Sequence, residues 1–200
     1  MEPRSFLLTL VVLITLICSA GCTAPQQSIS SASAVRTAPL PTISANSVGS
    51  LTLTIDSLDP GSTLPDTYTC KGAGESPEVS WSGIPPGTKS LVLILDDPDA
   101  PRGTFTHWLV YNIPPVAGSM SKAQPDQKVI GNGAQGGDNS AGSRGYYPPC
   151  PPVGAAHRYV FRLYAVDMDI SQPTASRESI DRAMNGHTLA ETEFITGFKR

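Results

Sequence analysis

A mostly β, antiparallel β-sandwich is the fold class that this 200-residue sequence predicts. Three observations lead there. Short apolar segments alternate or run continuously between turn residues, the chain carries 18 Gly and 19 Pro, and only 16% of its residues are charged.

The elements follow in chain order. Leu51, Leu53 and Ile55 alternate with Thr52 and Thr54, the mark of a strand with one buried face. Further strands are predicted over residues 67–70 and 79–81. Residues 90–95 form a continuous apolar run that suits a sandwich core, and residues 106–113 and 158–166 complete the set. Within residues 106–113 a regular strand puts His107, Leu109 and Tyr111 on one face, with Trp108 and Val110 on the other. Ser176 then caps a helix carrying Ile180, Ala183 and Met184, ended near Asn185 and Gly186. A second helical stretch is expected around residues 189–198, so the sandwich should end in short C-terminal helices. Residues 114–145 are Gly-rich and weakly periodic. Gly131, Gly133 and Gly136 have dinucleotide-fingerprint spacing, but without a strand before and a helix after they read as a surface loop.

The first residues read as an export signal. Arg4 precedes an apolar run over residues 6–17, shorter than the roughly 20 residues that a spanning helix needs, and Ser19, Ala20 and Gly21 lead into Cys22. Residues 1–21 are therefore expected to be a lipoprotein signal peptide, with Cys22 carrying lipid and the mature chain anchored to a membrane of the cell envelope. Cleavage without lipidation is the alternative. Residues 22–49 are rich in Ser, Thr, Ala and Pro with Arg36 as the single charge, a composition that cannot bury enough apolar surface to order itself and that reads as a tether. Residues 50–200 then make one domain. The formal net charge is −3 and no Lys/Arg cluster occurs, which argues against nucleic acid as a partner.

Two islands carry the chemistry. Asp97, Pro98, Asp99, Ala100 and Pro101 are followed by His107 and Trp108; Tyr146, Tyr147, Pro148, Pro149, Cys150, Pro151 and Pro152 are followed by His157, Arg158 and Tyr159. Proline fixes φ and restricts the residue before it, so both islands are stiff. Together with Tyr68 to Gly72, Ser76-Pro77, Ser80-Trp81, the block from His107 to Pro114 and the block from Gly186 to Ala190, they resemble the phosphatidylethanolamine-binding protein family, and within it the prokaryotic Raf-kinase-inhibitor-like branch. The resemblance covers roughly residues 50–200 and implies the same β-sandwich.

It also implies an anion pocket formed by Asp97, Asp99, His107, Pro149, His157 and Tyr159, with Tyr146 beside them. Imidazole and backbone N–H groups would donate to phosphate oxygens while a carboxylate orients a His or meets an amine, so the expected partner is a small phosphorylated or zwitterionic ligand. The local alternatives are that Asp97 and Asp99 are turn residues and His107 a core group. Arg158, next to His157, should point to the other face and pair with an Asp. His187 reads as a structural group at the end of the helix. The sequence departs from the family at Pro148, where Gly is usual; proline removes one N–H donor there.

Cys70 and Cys150 remain as an even pair in an exported setting, and a disulfide between them is expected, with two buried thiols as the alternative. No cofactor and no metal site is expected. A metal-dependent hydrolase would need tighter His/Asp spacings than these, and a serine hydrolase lacks its G-x-S-x-G elbow. The expected role is a non-enzymatic binding protein. A module that inhibits a protein target, a kinase or a protease, is the rival that the resemblance implies.

Overall fold

The computed structural model describes residues 50–124, 130, 133–171 and 175–200, all within one compact unit, Ser44–Arg200. The predicted signal peptide, Cys22 and the tether lie outside the described residues. Two antiparallel sheets form the body. The smaller has the order β1-β2-β5, from β1 (Thr52–Ile55), β2 (Val79–Ser82) and β5 (Ser119–Met120). The larger has the order β6-β4-β3-β7-β8, from β3 (Ser90–Asp97), β4 (Phe105–Ile113), β6 (Gln135–Gly136), β7 (His157–Val166) and β8 (Thr188–Phe198).

The main core lies between the sheets. Leu53, Ile55, Val79 and Trp81 meet Leu91, Leu93, Leu95, Trp108, Tyr159, Phe161 and Leu163. The other face of the large sheet buries Val92, Ile94, Leu109 and Tyr111 against α1 (Arg177–Met184), which contributes Ile180 and Met184. Strand β3, covered on both faces, is buried throughout, as its unbroken apolar run requires. Helix α1 begins as its sequence predicts, with the Ser176 side chain accepting from the Ser179 N–H, and the chain turns away through Gly186 at φ 80°.

Three expectations are corrected. Residues 67–70 do not form a strand: Asp66–Tyr68 is a single 3-10 turn after Pro65, closed when the Thr69 hydroxyl and N–H both donate to the Asp66 carbonyl. Residues 189–198 are not a second helix. They belong to β8, which pairs with β7 from Val166–Thr188 to His157–Phe198 and buries Phe194, Thr196 and Phe198 on alternate positions. A four-residue spacing such as Phe194 to Phe198 fits either period, and the β-branched Thr192, Ile195 and Thr196 favour the strand.

The third correction concerns β4. Its register against β3 runs Leu95–Trp108 and then Asp96–Thr106, so His107 is an extra residue, a β-bulge. The bulge resets the alternation: Leu109 and Tyr111 face α1, but His107 turns toward Tyr159 on the face that also holds Trp108.

Candidate functional site

The C-terminal end of β3 and the starts of β4 and β7 lie at one end of the large sheet, because β3 is antiparallel to both neighbours. That geometry brings Asp97, His107 and His157 to one cleft of about 340 Å³, a size that suits a small molecule. Among the described residues Ala100, Pro101, Phe105, Tyr147, Cys150, Pro151 and Pro152 complete its lining, with no Lys or Arg.

Each polar group is held by a specific partner. Pro98 ends β3, and the Asp97 carboxylate accepts from the Asp99 N–H at 2.9 Å through Oδ1 and from His157 Nδ1 at 2.7 Å through Oδ2. His107 Nδ1 lies 2.7 Å from the Tyr147 carbonyl, and the Tyr147 N–H returns a bond of 2.8 Å to the His107 carbonyl. A carbonyl can only accept, so His107 carries its proton on Nδ1; an ionised Asp97 imposes the same tautomer on His157. Among the described residues neither ring's Nε2 has a hydrogen-bond partner.

This alters the expected role of His107. Burial pushes its pKa below the ordinary imidazole value, against the opposing effects of the Tyr147 carbonyl and the Asp97 charge. In the neutral ring Nε2 is an acceptor; it donates to an anion only once the ring is protonated. An incoming phosphate must therefore bring or take up a proton.

The other predicted residues sit around the cleft without lining it. Asp99 accepts from Arg158 Nη2 at 2.7 Å, from Nε at 2.9 Å and from its backbone N–H, which hold its carboxyl down at about 2. Arg158 does point away from His157 and pair with an Asp, as the strand alternation requires. Tyr159 packs edge-on behind His107, with 5.4 Å between ring centroids. Among the described residues its buried hydroxyl has no hydrogen-bond partner of good geometry, and burial followed by the Asp97 charge raises its pKa. Tyr146 packs edge-on against Trp108 and donates to the Tyr68 carbonyl at 2.7 Å. Pro149 accepts from the Cys70 N–H at 3.1 Å, and a Cys70–Cys150 disulfide joins the two segments. His187 donates its N–H to the Met184 carbonyl at the end of α1, and its ring pairs with Asp167, away from the cleft. Sequence reasoning missed Phe105 and Tyr147 as lining residues. Their signal was position, two residues before His107 and inside the proline island.

Comparison with known proteins agrees with this architecture. A family model described as Phosphatidylethanolamine-binding protein matches residues 54–199. A protein from Methanothermobacter thermautotrophicus named UPF0098 protein is 46% identical over 138 residues, covering 68% of this chain and 91% of that protein. Over 114 residues the chain is 39% identical to a Mycobacterium tuberculosis protein named "Putative lipoprotein LppC", covering 56% of this chain and 54% of that one. The crystal structure of the phosphatidylethanolamine-binding protein homologue CT736 from Chlamydia trachomatis superimposes with a TM-score of 0.68 at 37% identity, covering 76% of this chain and 99% of that one. With its two-sheet sandwich, its helix-covered outer face and a match that spans most of its length, the chain belongs to the phosphatidylethanolamine-binding protein family.

Proposed function

We propose that this chain is a non-enzymatic, membrane-tethered binding protein whose cleft takes the phosphate of a small phosphorylated or zwitterionic ligand, such as a phospho head group. One observation carries the reading: two imidazoles, each fixed through Nδ1, share one cleft, and among the described residues neither Nε2 has a partner. Phosphate meets the two Nε2 atoms with uptake of a proton, and an amine on the same ligand meets the remaining lone pairs of Asp97. The lining residues include no serine, and the one lining cysteine is in a disulfide, so the cleft offers neither of the usual acyl-transfer nucleophiles. The tether is supported by the sequence around Cys22 and by the relative named as a lipoprotein.

Calorimetry with phosphoethanolamine tests the pocket. His107→Ala and His157→Ala should each weaken binding by about ten- to a hundred-fold, the effect of losing one charge-assisted hydrogen bond, while His187→Ala should leave it unchanged. Equal affinity in all three variants removes the reading. Fractionation tests the tether: Cys22→Ser should move the protein out of the membrane fraction, and an unchanged distribution refutes lipid anchoring at that residue.

A second reading, a module that inhibits a kinase or protease, draws on the exposed Val153, 78% accessible beside Pro152 of the cleft wall. It predicts that Val153→Asp impairs inhibition of a target without affecting phosphoethanolamine binding.

A further inference from the structure

The wall of the cleft opposite the strands has little regular structure of its own, yet it holds the ring of His107. Tyr147 fixes His107 through the reciprocal pair of bonds already described, and the next residues, Pro148 to Pro152, carry the cleft's proline face. Pro148 and Pro149 have no N–H to anchor them. What anchors this segment instead is the turn at residues 66–72, through three links: Tyr146 Oη to the Tyr68 carbonyl at 2.7 Å, the Cys70 N–H to the Pro149 carbonyl at 3.1 Å, and the Cys70–Cys150 disulfide. That turn is itself tightly folded. A Cβ on Gly72 would stand 2.3 Å from the Asp66 carbonyl oxygen, so the turn packs too closely there for any residue but glycine.

Two further observations concern the bond itself. Cys70 and Cys150 are both exposed, so a thiol in solution can reach them. Arg200 Nη1 lies 3.5 Å from Cys150 Sγ, where its charge favours Cys150 as the departing thiolate.

We propose that Cys70, which does not itself line the cleft, is a positioning residue: its disulfide to Cys150 locks the proline wall and, through Tyr147, the orientation of His107, so that the cleft holds its anion more tightly in the oxidised than in the reduced protein. This rests on the anion-binding reading above. The chemistry needs a dithiol as co-reactant. One thiolate attacks the Cys70–Cys150 bond, the second closes the mixed disulfide, and the dithiol leaves as a cyclic disulfide while Cys70 and Cys150 each gain one electron and one proton.

The test uses the full-length protein in detergent, before and after dithiothreitol, with inorganic phosphate as the probe. Reduction should lower phosphate affinity by about tenfold or more, reversibly on reoxidation, as a preorganised wall loosens. Hydrogen exchange at the Tyr147 amide should quicken by about tenfold or more, while the Phe161 amide, inside the core, holds its rate. The Cys70→Ser, Cys150→Ser double variant should reproduce the reduced state.

Equal phosphate affinity in oxidised and reduced protein overturns the proposal. So does an equal acceleration of the Tyr147 and Phe161 amides, which would make the bond a general staple. Should the oxidised protein bind no phosphate at all, the binding reading fails separately; the Tyr147 amide still decides the positioning role, and an unchanged exchange rate there rejects it.

Discussion

Asp96 and Asp97 are neighbours on β3, identical in chemistry and both buried, yet strand alternation sends them to opposite faces of the large sheet. Asp96 faces α1, where Arg177 Nη1 at 2.5 Å, Arg162 Nη1 at 3.4 Å and the Thr106 hydroxyl at 2.8 Å surround it. Asp97 faces the cleft, where its partners are one imidazole and one backbone N–H. The lesson lies in the partners. A buried carboxylate ringed by guanidiniums acts as a fixed peg between sheet and helix; one paired with an imidazole instead orients a ring in the cleft.

The sharpest way to break this comparison is to remove the peg. Asp96→Ala leaves Arg177 and Arg162 without their shared carboxylate and should cost about 3 kcal/mol in urea unfolding, as broken buried pairs do, while the intact cleft keeps its phosphoethanolamine affinity within a few-fold. If Asp96→Ala and Asp97→Ala destabilise equally, the division between the two faces is wrong.

The converse substitution should act on binding. Asp97→Ala frees the His157 ring to rotate and should weaken phosphoethanolamine binding by about ten- to a hundred-fold, with a stability loss nearer 1 kcal/mol, the ordinary worth of one hydrogen bond. Asp97→Asn, whose carbonyl can still accept from Nδ1–H, should recover part of the affinity.

The last expected effect is on pH dependence. The folded pKa of His107 lies below its unfolded value near 6.5, so the unfolded chain binds the proton first and stability falls as pH drops below about 6.5, by at most roughly 1.4 kcal/mol per unit. Urea melts at pH 7 and pH 5 should differ less in His107→Gln than in wild type. Asp99, held at about 2, stays ionised across this window and does not contribute to the change. Binding runs in the opposite direction: affinity for phosphate should rise toward pH 5, up to about tenfold per unit for each proton taken up. An affinity that is flat or falls on acidification would contradict the tautomers assigned to the two rings.

Local rules made much of this molecule legible. Alternation in β1, the apolar run of β3, the Ser176 cap and the Gly186 stop all appear in the structure where the sequence places them, because each depends on a few adjacent residues. Asp97, His107 and His157 were recognisable through the proline punctuation around them. Residues 189–198 misread because Phe194 and Phe198 satisfy both periods, and residues 67–70 because a Thr side chain closed a turn instead of joining a ladder. The depth of each side chain was the hardest to read. Tyr146, Pro149 and Tyr159 stand beside the lining residues in sequence, yet they brace the cleft from behind, a distinction set by long-range contacts with Tyr68, Cys70 and His107. No local signal announces the extra residue in β4.

That extra residue works as a phase shifter. From Trp108 to Tyr111 β4 keeps its core side chains in alternation, up to a second register shift near Asn112, and the inserted position rotates one imidazole out of that rhythm without disturbing Trp108 or Leu109. A sandwich can in this way acquire or discard a polar contact by a change of one codon in length, its hydrophobic interior kept as it was. Transplanting the cleft onto another sandwich calls for the same: matching the identities of the two histidines is insufficient unless the recipient strand also carries the odd residue that breaks its count.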